Sequence, residues 1–275
     1  MNYMSSLAKS ISSHDGTAIY YEVDPSPNKE KYLVLLHGLG SDITAWKSER
    51  NALRKLGFPT LALDLRGHGL SGHPKDKASY DLHNFAKDVL WVLQKEDIAK
   101  PVLIGHCFGG MVALLLEGTY PKTAQSLILV DTSYKPPYFG TKLAHNIFIN
   151  KIVSIIADNV PNIGNTGHGD YKKFVGTWDY DPKRIIADIL HTSLRSYLLS
   201  CEQLLAFDAA SLLKKITVPT LVIEVTNDII FPPKVAIDLA HRIKRAEIEF
   251  IPGANHILVL NNPDDLVNAI VRFTK

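Results

Sequence analysis

Cys107, Asp228 and His256 are the residues whose types and surroundings can do chemistry: a thiol nucleophile, an acid that can orient a base, and a base. The strongest signal is the segment around the thiol, VLIGHCFGG at 102–110. Val102, Leu103 and Ile104 form a short apolar run, and MVALLLEG after the glycines has helical character. The segment reads as strand, sharp turn and helix, with Cys107 at the apex. A turn that lifts one side chain above a sheet crowds the residues two before and two after it, where Gly105 and Gly109 stand without a Cβ. The thiol then sits at a helix N-terminus, where free N–H groups and the helix dipole favour an anion. Asp228 follows the strand-like Leu221–Val225 by a few residues, and His256 follows the strand ending at Ile251. In open α/β sheets ligand chemistry gathers at the carboxyl ends of strands, and all three residues are expected there. Asp131 also ends a strand beside the Cys107 turn and is a rival acid.

The elements that must position these residues alternate as strand and helix. Residues 7–24 contain HDG between two alternating runs, with Ile19, Tyr21 and Val23 on one face. Tyr32–Leu36 is continuously apolar, as in a sheet covered on both sides. A helix is expected over Ala45–Leu56, a strand over Pro59–Leu63, a helix over Leu82–Lys95 and a strand over Ser126–Val130. Residues 134–212 contain no convincing strand. Their best helix starts with Asp181 as N-cap and Pro182 at the first position, and Ile185, Ile186, Ile189, Leu190, Leu194, Tyr197 and Leu198 recur at helical spacing. Alternation resumes at Pro219–Val225 and Glu247–Ile251, and a last helix covers about 263–273. The expected organisation is an α/β core made of 1–133 and 213–275, with 134–212 inserted as a helical cap.

Composition narrows the functional classes. The 275 residues are 46% hydrophobic and 21% charged, ample for one large domain with an insertion. Net charge is +2 and the lysine pairs 172–173 and 214–215 are isolated, so they read as solvated faces and no nucleic-acid partner is expected. Two cysteines, Cys107 and Cys201, are too few for a disulfide framework and fit a reducing, cytoplasmic compartment. The N-terminus lacks the apolar run of a signal peptide, and no segment has the length of a membrane span. The histidines are scattered without metal-ligand spacing, so neither metal nor cofactor is expected. Of these, His14, His73, His145 and His241 read as surface residues, and His106 as packing under the nucleophile. Gly67–Gly72, GHGLSG, matches a dinucleotide fingerprint, but the polar HPKDKASYD follows where a helix must open, so it reads as a tight loop.

GHCFGG, HGLGSDITAW, DLRGHGLSG, VPTLVIEVTND and PGANHILVLNNP together resemble the α/β-hydrolase superfamily, closest to capped esterases and oxoadipate enol-lactonase-like members. The chain order Cys107, Asp228, His256 matches the superfamily order of nucleophile, acid and base, and Asp228 stands in a segment resembling its D-x-x-x-P. The resemblance implies an α/β-hydrolase fold with a mostly parallel sheet. It also implies a Cys-His-Asp triad and an oxyanion hole built from the N–H groups of Leu39 and Phe108. His37 reads as a structural histidine orienting the oxyanion loop. The departure is cysteine where those relatives carry serine; an aspartate nucleophile, as in epoxide hydrolases, is excluded. The implied function is hydrolysis of a small-molecule ester or lactone through a thioester acyl-enzyme. An acyltransferase using the same acyl-cysteine, or a receptor-like binder without turnover, are the alternatives. Phe174, Trp178, Leu194 and Leu198 are candidate pocket residues from the cap, although packing within the cap is the more natural role for each.

Overall fold

The computed structural model describes residues 6–28, 32–136, 147–161 and 167–275. Eight strands form one sheet in the order β1-β2-β4-β3-β5-β6-β7-β8. They are β1 (Leu7–Ser12), β2 (Ala18–Val23), β3 (Leu33–Leu36), β4 (Thr60–Leu63), β5 (Val102–His106), β6 (Ser126–Val130), β7 (Thr220–Val225) and β8 (Ala246–Ile251). β2 runs antiparallel to both β1 and β4, while β4, β3, β5, β6, β7 and β8 pair in parallel. Parallel pairing requires crossovers, and helices supply them on both faces.

The two-residue period of each strand divides the core into two layers. Val34, Leu36, Leu103, Leu127 and Leu129 face one layer, covered by α2 (Leu82–Lys95), α3 (Phe108–Thr119) and α7 (Pro233–Arg242). Leu33, Leu35, Ile104, Ile128 and Val130 face the other, covered by α1 (Lys47–Lys55), α8 (Leu258–Asn261) and α9 (Pro263–Thr274). Each fully buried leucine or isoleucine contributes roughly 1.5–3 kcal/mol. The continuous burial of β3, β5 and β6 is the two-sided pattern read from their unbroken apolar runs.

Between β6 and β7 the described residues contain helices α4 (Ile147–Asn159), α5 (Pro182–Thr192) and α6 (Leu194–Ala206), together with a 3-10 turn at Tyr171–Phe174. Asp181 caps α5, its side chain accepting from the Arg184 N–H at 2.9 Å, with Pro182 in the first turn. The expected single helix through Leu198 is instead two. Ser193 adopts φ +65, ending α5 and capping α6, while Thr192 is tied to the Gly40 carbonyl at 3.0 Å. That anchorage redirects the chain where apolar periodicity alone would have continued it. The helix expected from Ala45 begins as a 3-10 turn, Ile43–Trp46, capped by Asp42, before α1.

Gly67–Gly72 is a loop, and the next α-helix, α2, opens only at Leu82. Asp64 accepts from the Ile43 and Leu70 N–H groups, at 2.8 and 2.7 Å, and Arg66 forms ion pairs with Asp88 and Asp15, both at 2.6 Å. The loop is held by internal polar contacts.

Candidate active site

Cys107 stands between β5 and α3 with φ +51, a conformation that L-residues adopt at a cost. The turn is over-determined. The Cys107 N–H donates to the Val130 carbonyl at 3.0 Å, and the Cys107 carbonyl accepts from Gly110, Met111 and the Thr132 hydroxyl at 3.0, 3.2 and 2.6 Å. Its two flanking glycines are required sterically. A Cβ on Gly105 would lie 2.6 Å from the Gly110 Cα, and one on Gly109 would lie 2.6 Å from the His37 carbonyl oxygen. Both obstacles are backbone, which cannot swing aside.

His256 and Asp228 are adjacent. His256 Nδ1 is 2.7 Å from Asp228 Oδ2, and Asp228 Oδ1 accepts from the Ile230 and Phe231 N–H groups at 2.6 and 2.8 Å. A carboxylate only accepts, so Nδ1 carries a proton. The His256 ring packs against His106 and Phe231, with centroids 5.1 and 5.6 Å away, and the His256 carbonyl accepts from His106 Nε2 at 2.9 Å. Burial disfavours the imidazolium, but the Asp228 carboxylate and then the Cys107 sulfur outweigh it, so His256 is held well above its ordinary value. His106, buried and facing the positive His256, is pushed down to about 3 and stays neutral.

The rival acid is placed differently. Asp131 has no hydrogen bond to His256; its Oδ1 accepts from the Val225 N–H at 3.1 Å. His37 holds its loop as a neutral ring: Nε2 accepts from the Leu65 N–H at 3.0 Å and Nδ1 donates to the Gly38 carbonyl at 2.8 Å. Burial lowers its pKa well below the usual value. Gly38 lies so close to His106 that a Cβ there would be 3.0 Å from Nδ1. Leu39 borders the Cys107 cavity, and the Phe108 N–H follows Cys107 at the start of α3.

Cys107 and His256 open into a cavity of about 360 Å³. Its core side is lined by Leu39, Ala45, Ile230, Ile257, Val259 and Leu260, and its outer side by Tyr171, Tyr180, Arg184, Ile185, Asp188 and Tyr197, with Leu204 and Leu205. Arg184 pairs with Asp188 at 2.8 Å, and the Tyr171 hydroxyl donates to Asp188 at 3.1 Å. Burial raises Asp188 to about 7 despite Arg184.

None of Phe174, Trp178, Leu194 and Leu198 lines this cavity; Trp178 and Leu194 are exposed. On α6 the cavity is lined by Tyr197, Leu204 and Leu205; of the periodic residues Leu194, Tyr197 and Leu198, only Tyr197 reaches it. His73 is not a surface residue: its Nδ1 lies 3.0 Å from the Ser196 hydroxyl and burial lowers its pKa. His14 and His241 are exposed, and His145 lies outside the described residues. Burial pushes the Cys201 thiol up to about 12. Among the described residues three clusters have metal-ligating atoms close together: His106–Asp131–His256, Asp42–Asp64–His168 and Asp131–Glu224–Asp228. Glu224 was passed over in the sequence, although an acid near the carboxyl end of the apolar run TLVIEV was a usable signal.

A mostly parallel eight-stranded sheet with a strained thiol turn after its fifth strand defines an α/β hydrolase fold. The chain belongs to the alpha/beta hydrolase fold family, whose model matches residues 31–263. It is 27% identical over 244 residues to "Putative carbamate hydrolase RutD" of Variovorax paradoxus, covering 86% of this chain and 89% of that one. In structure it is similar to the enol-lactonase from Burkholderia xenovorans, with a TM-score of 0.72 and 23% identity, covering 96% of this chain and 99% of that one. It is also similar to a thermophilic esterase from Thermogutta terrifontis, with a TM-score of 0.76 and 23% identity over 97% of each chain. Among the described residues no helix is long and apolar enough to cross a membrane.

Proposed function

We propose that this protein hydrolyses small carboxylic esters or lactones with Cys107 as nucleophile, His256 as acid and base, and Asp228 as the acid that orients it. The observation that carries the reading is the connected line from the cavity through Cys107 and His256 to Asp228, with the thiol at a helix N-terminus and His256 Nδ1 2.7 Å from Asp228. The proteins it is similar to, an enol-lactonase, an esterase and "Putative carbamate hydrolase RutD", support the same class.

In this mechanism the Cys107 S–H proton passes to His256 Nε2 as the sulfur attacks the acyl carbon and forms a C–S bond. The carbonyl oxygen becomes an anion held by the Leu39 and Phe108 N–H groups. His256 Nε2–H passes its proton to the departing alkoxide as the C–O bond breaks, which leaves a thioester and an alcohol. A water then gives its proton to the neutral imidazole and attacks the thioester, and the thiolate departs with the acid product. Asp228 keeps the Nδ1–H tautomer throughout. Residues 134–212 act as a cap, placing Tyr180, Ile185 and Tyr197 over the acyl site and limiting substrates to small groups.

The test is a panel of aryl esters of increasing chain length, plus lactones, with the purified protein and its Cys107→Ala variant. Short esters are expected to turn over, and Cys107→Ala to fall near background with an unchanged circular dichroism spectrum. Substantial turnover by Cys107→Ala would reject the nucleophile.

A further inference from the structure

Behind Asp228 lies a group of acids that the proposed chemistry does not use. Asp131, at the end of β6, and Glu224, on β7, are both fully buried. One carboxylate oxygen from each lies within 4.8 Å of the other and of one from Asp228. Each has one oxygen near the Val225 N–H, at 3.1 Å for Asp131 and 3.3 Å for Glu224. The second oxygen of each, Asp131 Oδ2 and Glu224 Oε2, is buried without a hydrogen-bond donor. Asp131 is also held at φ +42, so the backbone bears strain to keep this side chain in place.

Two ionised carboxylates, each with one oxygen left without a donor in a dry site, are not a stable arrangement. A single proton between two such groups supplies the missing donor and removes one of the charges. The charged groups facing the site are Asp228 and His256, with Asp179 across the imidazole and neutral His106 behind it. The positive partner is His256: one atom each of Asp131, His106 and His256 lie within 4.8 Å of one another.

We propose that Asp131 and Glu224 form a proton-sharing carboxyl pair that keeps one negative charge behind Asp228 and so stabilises the His256 imidazolium. They are positioning residues, acting on Cys107 only through His256. Burial raises both groups, Glu224 to about 9, in line with a proton retained at neutral pH. Any consequence for Cys107 rests on the acyl-transfer reading above; the pair itself does not.

The test separates the two by reading His256 directly. In a Cys107→Ala background, ¹³C-labelled histidine NMR follows the His256 titration, identified by the resonance lost in His256→Gln. Asp131→Asn or Glu224→Gln alone replaces the shared proton by an amide donor and leaves one charge. Each is expected to move the His256 midpoint by about half a unit or less, whereas Asp131→Asn/Glu224→Gln together remove the charge and lower it by about one to two units. Infrared difference spectra at neutral pH supply a second readout that needs only the single variants. Wild type should show a protonated carboxylic acid C=O band that either single variant loses. A single variant that lowers the midpoint as far as the double, a silent double variant, or a band unchanged in both singles would each overturn the pair. Loss of esterase activity in Cys107→Ala bears on the nucleophile alone.

Discussion

Replacing Asp228 by asparagine removes a charge with almost no change of shape, and its cost can be worked from the contacts. Oδ1 accepts from the Ile230 and Phe231 N–H groups at 2.6 and 2.8 Å, so the amide oxygen keeps that place and the amide nitrogen turns to His256. His256 Nδ1 must then accept, which puts the ring proton on Nε2, facing Cys107, where it cannot take the thiol proton. Restoring the productive tautomer sets two N–H groups against each other and costs about 1–3 kcal/mol for the lost buried hydrogen bond. Loss of the carboxylate also removes its support of the imidazolium. An opposite charge this close shifts a pKa by about 1–3 units, or roughly 1.4–4 kcal/mol. Together these predict a fall in kcat/KM of about 10²- to 10⁵-fold. Asp131→Asn, which touches no nitrogen of His256, should stay within about tenfold. The assay is steady-state hydrolysis of a short aryl ester by each variant, with circular dichroism and thermal melting to confirm folding. An Asp228→Asn loss below tenfold, or a larger loss from Asp131→Asn, would refute the assignment of the acid.

Three further outcomes are expected. Cys107→Ser should retain measurable esterase activity, since the base and oxyanion loop suit a hydroxyl; an inactive, folded serine variant would mean that the site requires a pre-formed thiolate. Iodoacetamide should label Cys107, which lines the cavity, far faster than Cys201, whose thiol burial pushes up to about 12. Peptide mass mapping identifies the site, and equal labelling of both cysteines would overturn the expectation. His168 donates to Asp64 at 2.8 Å, and although burial opposes the charge, Asp64 raises its pKa. A raised folded value means that the protonated contact contributes its full stability below about pH 6.5 and loses it as pH climbs through the folded pKa. His168→Gln should thus lower Tm by a few degrees at pH 5.5 and by less at pH 9, for a contact worth about 1 kcal/mol; an equal deficit at both pH values would exclude a charged contact.

The thiol turn and the order of sheet and helix were legible in the chain because their causes are local. Gly105 and Gly109 are dictated by backbone lying within a few residues or on the adjoining strand, and the apolar runs at Leu33–Leu36 and Ser126–Val130 announce burial on both faces whatever their neighbours are. Asp181–Pro182 likewise caps a helix through its own side chain and ring. What joins distant segments was decided by tertiary structure. Sequence left both Asp131 and Asp228 at strand ends. Only the turn after β7, which brings Asp228 Oδ2 to 2.7 Å from His256, separates them. The break at Ser193 depends on Thr192 meeting the Gly40 carbonyl 152 residues away, and in the helix that follows Tyr197 lines the cavity while Leu194 is exposed. The Asp131–Glu224 group is of the same kind. Each acid alone reads as an ordinary strand-end residue, and only the β6–β7 pairing puts two carboxyls, each with one oxygen lacking a donor, beside one another, in a place too dry for both to be charged.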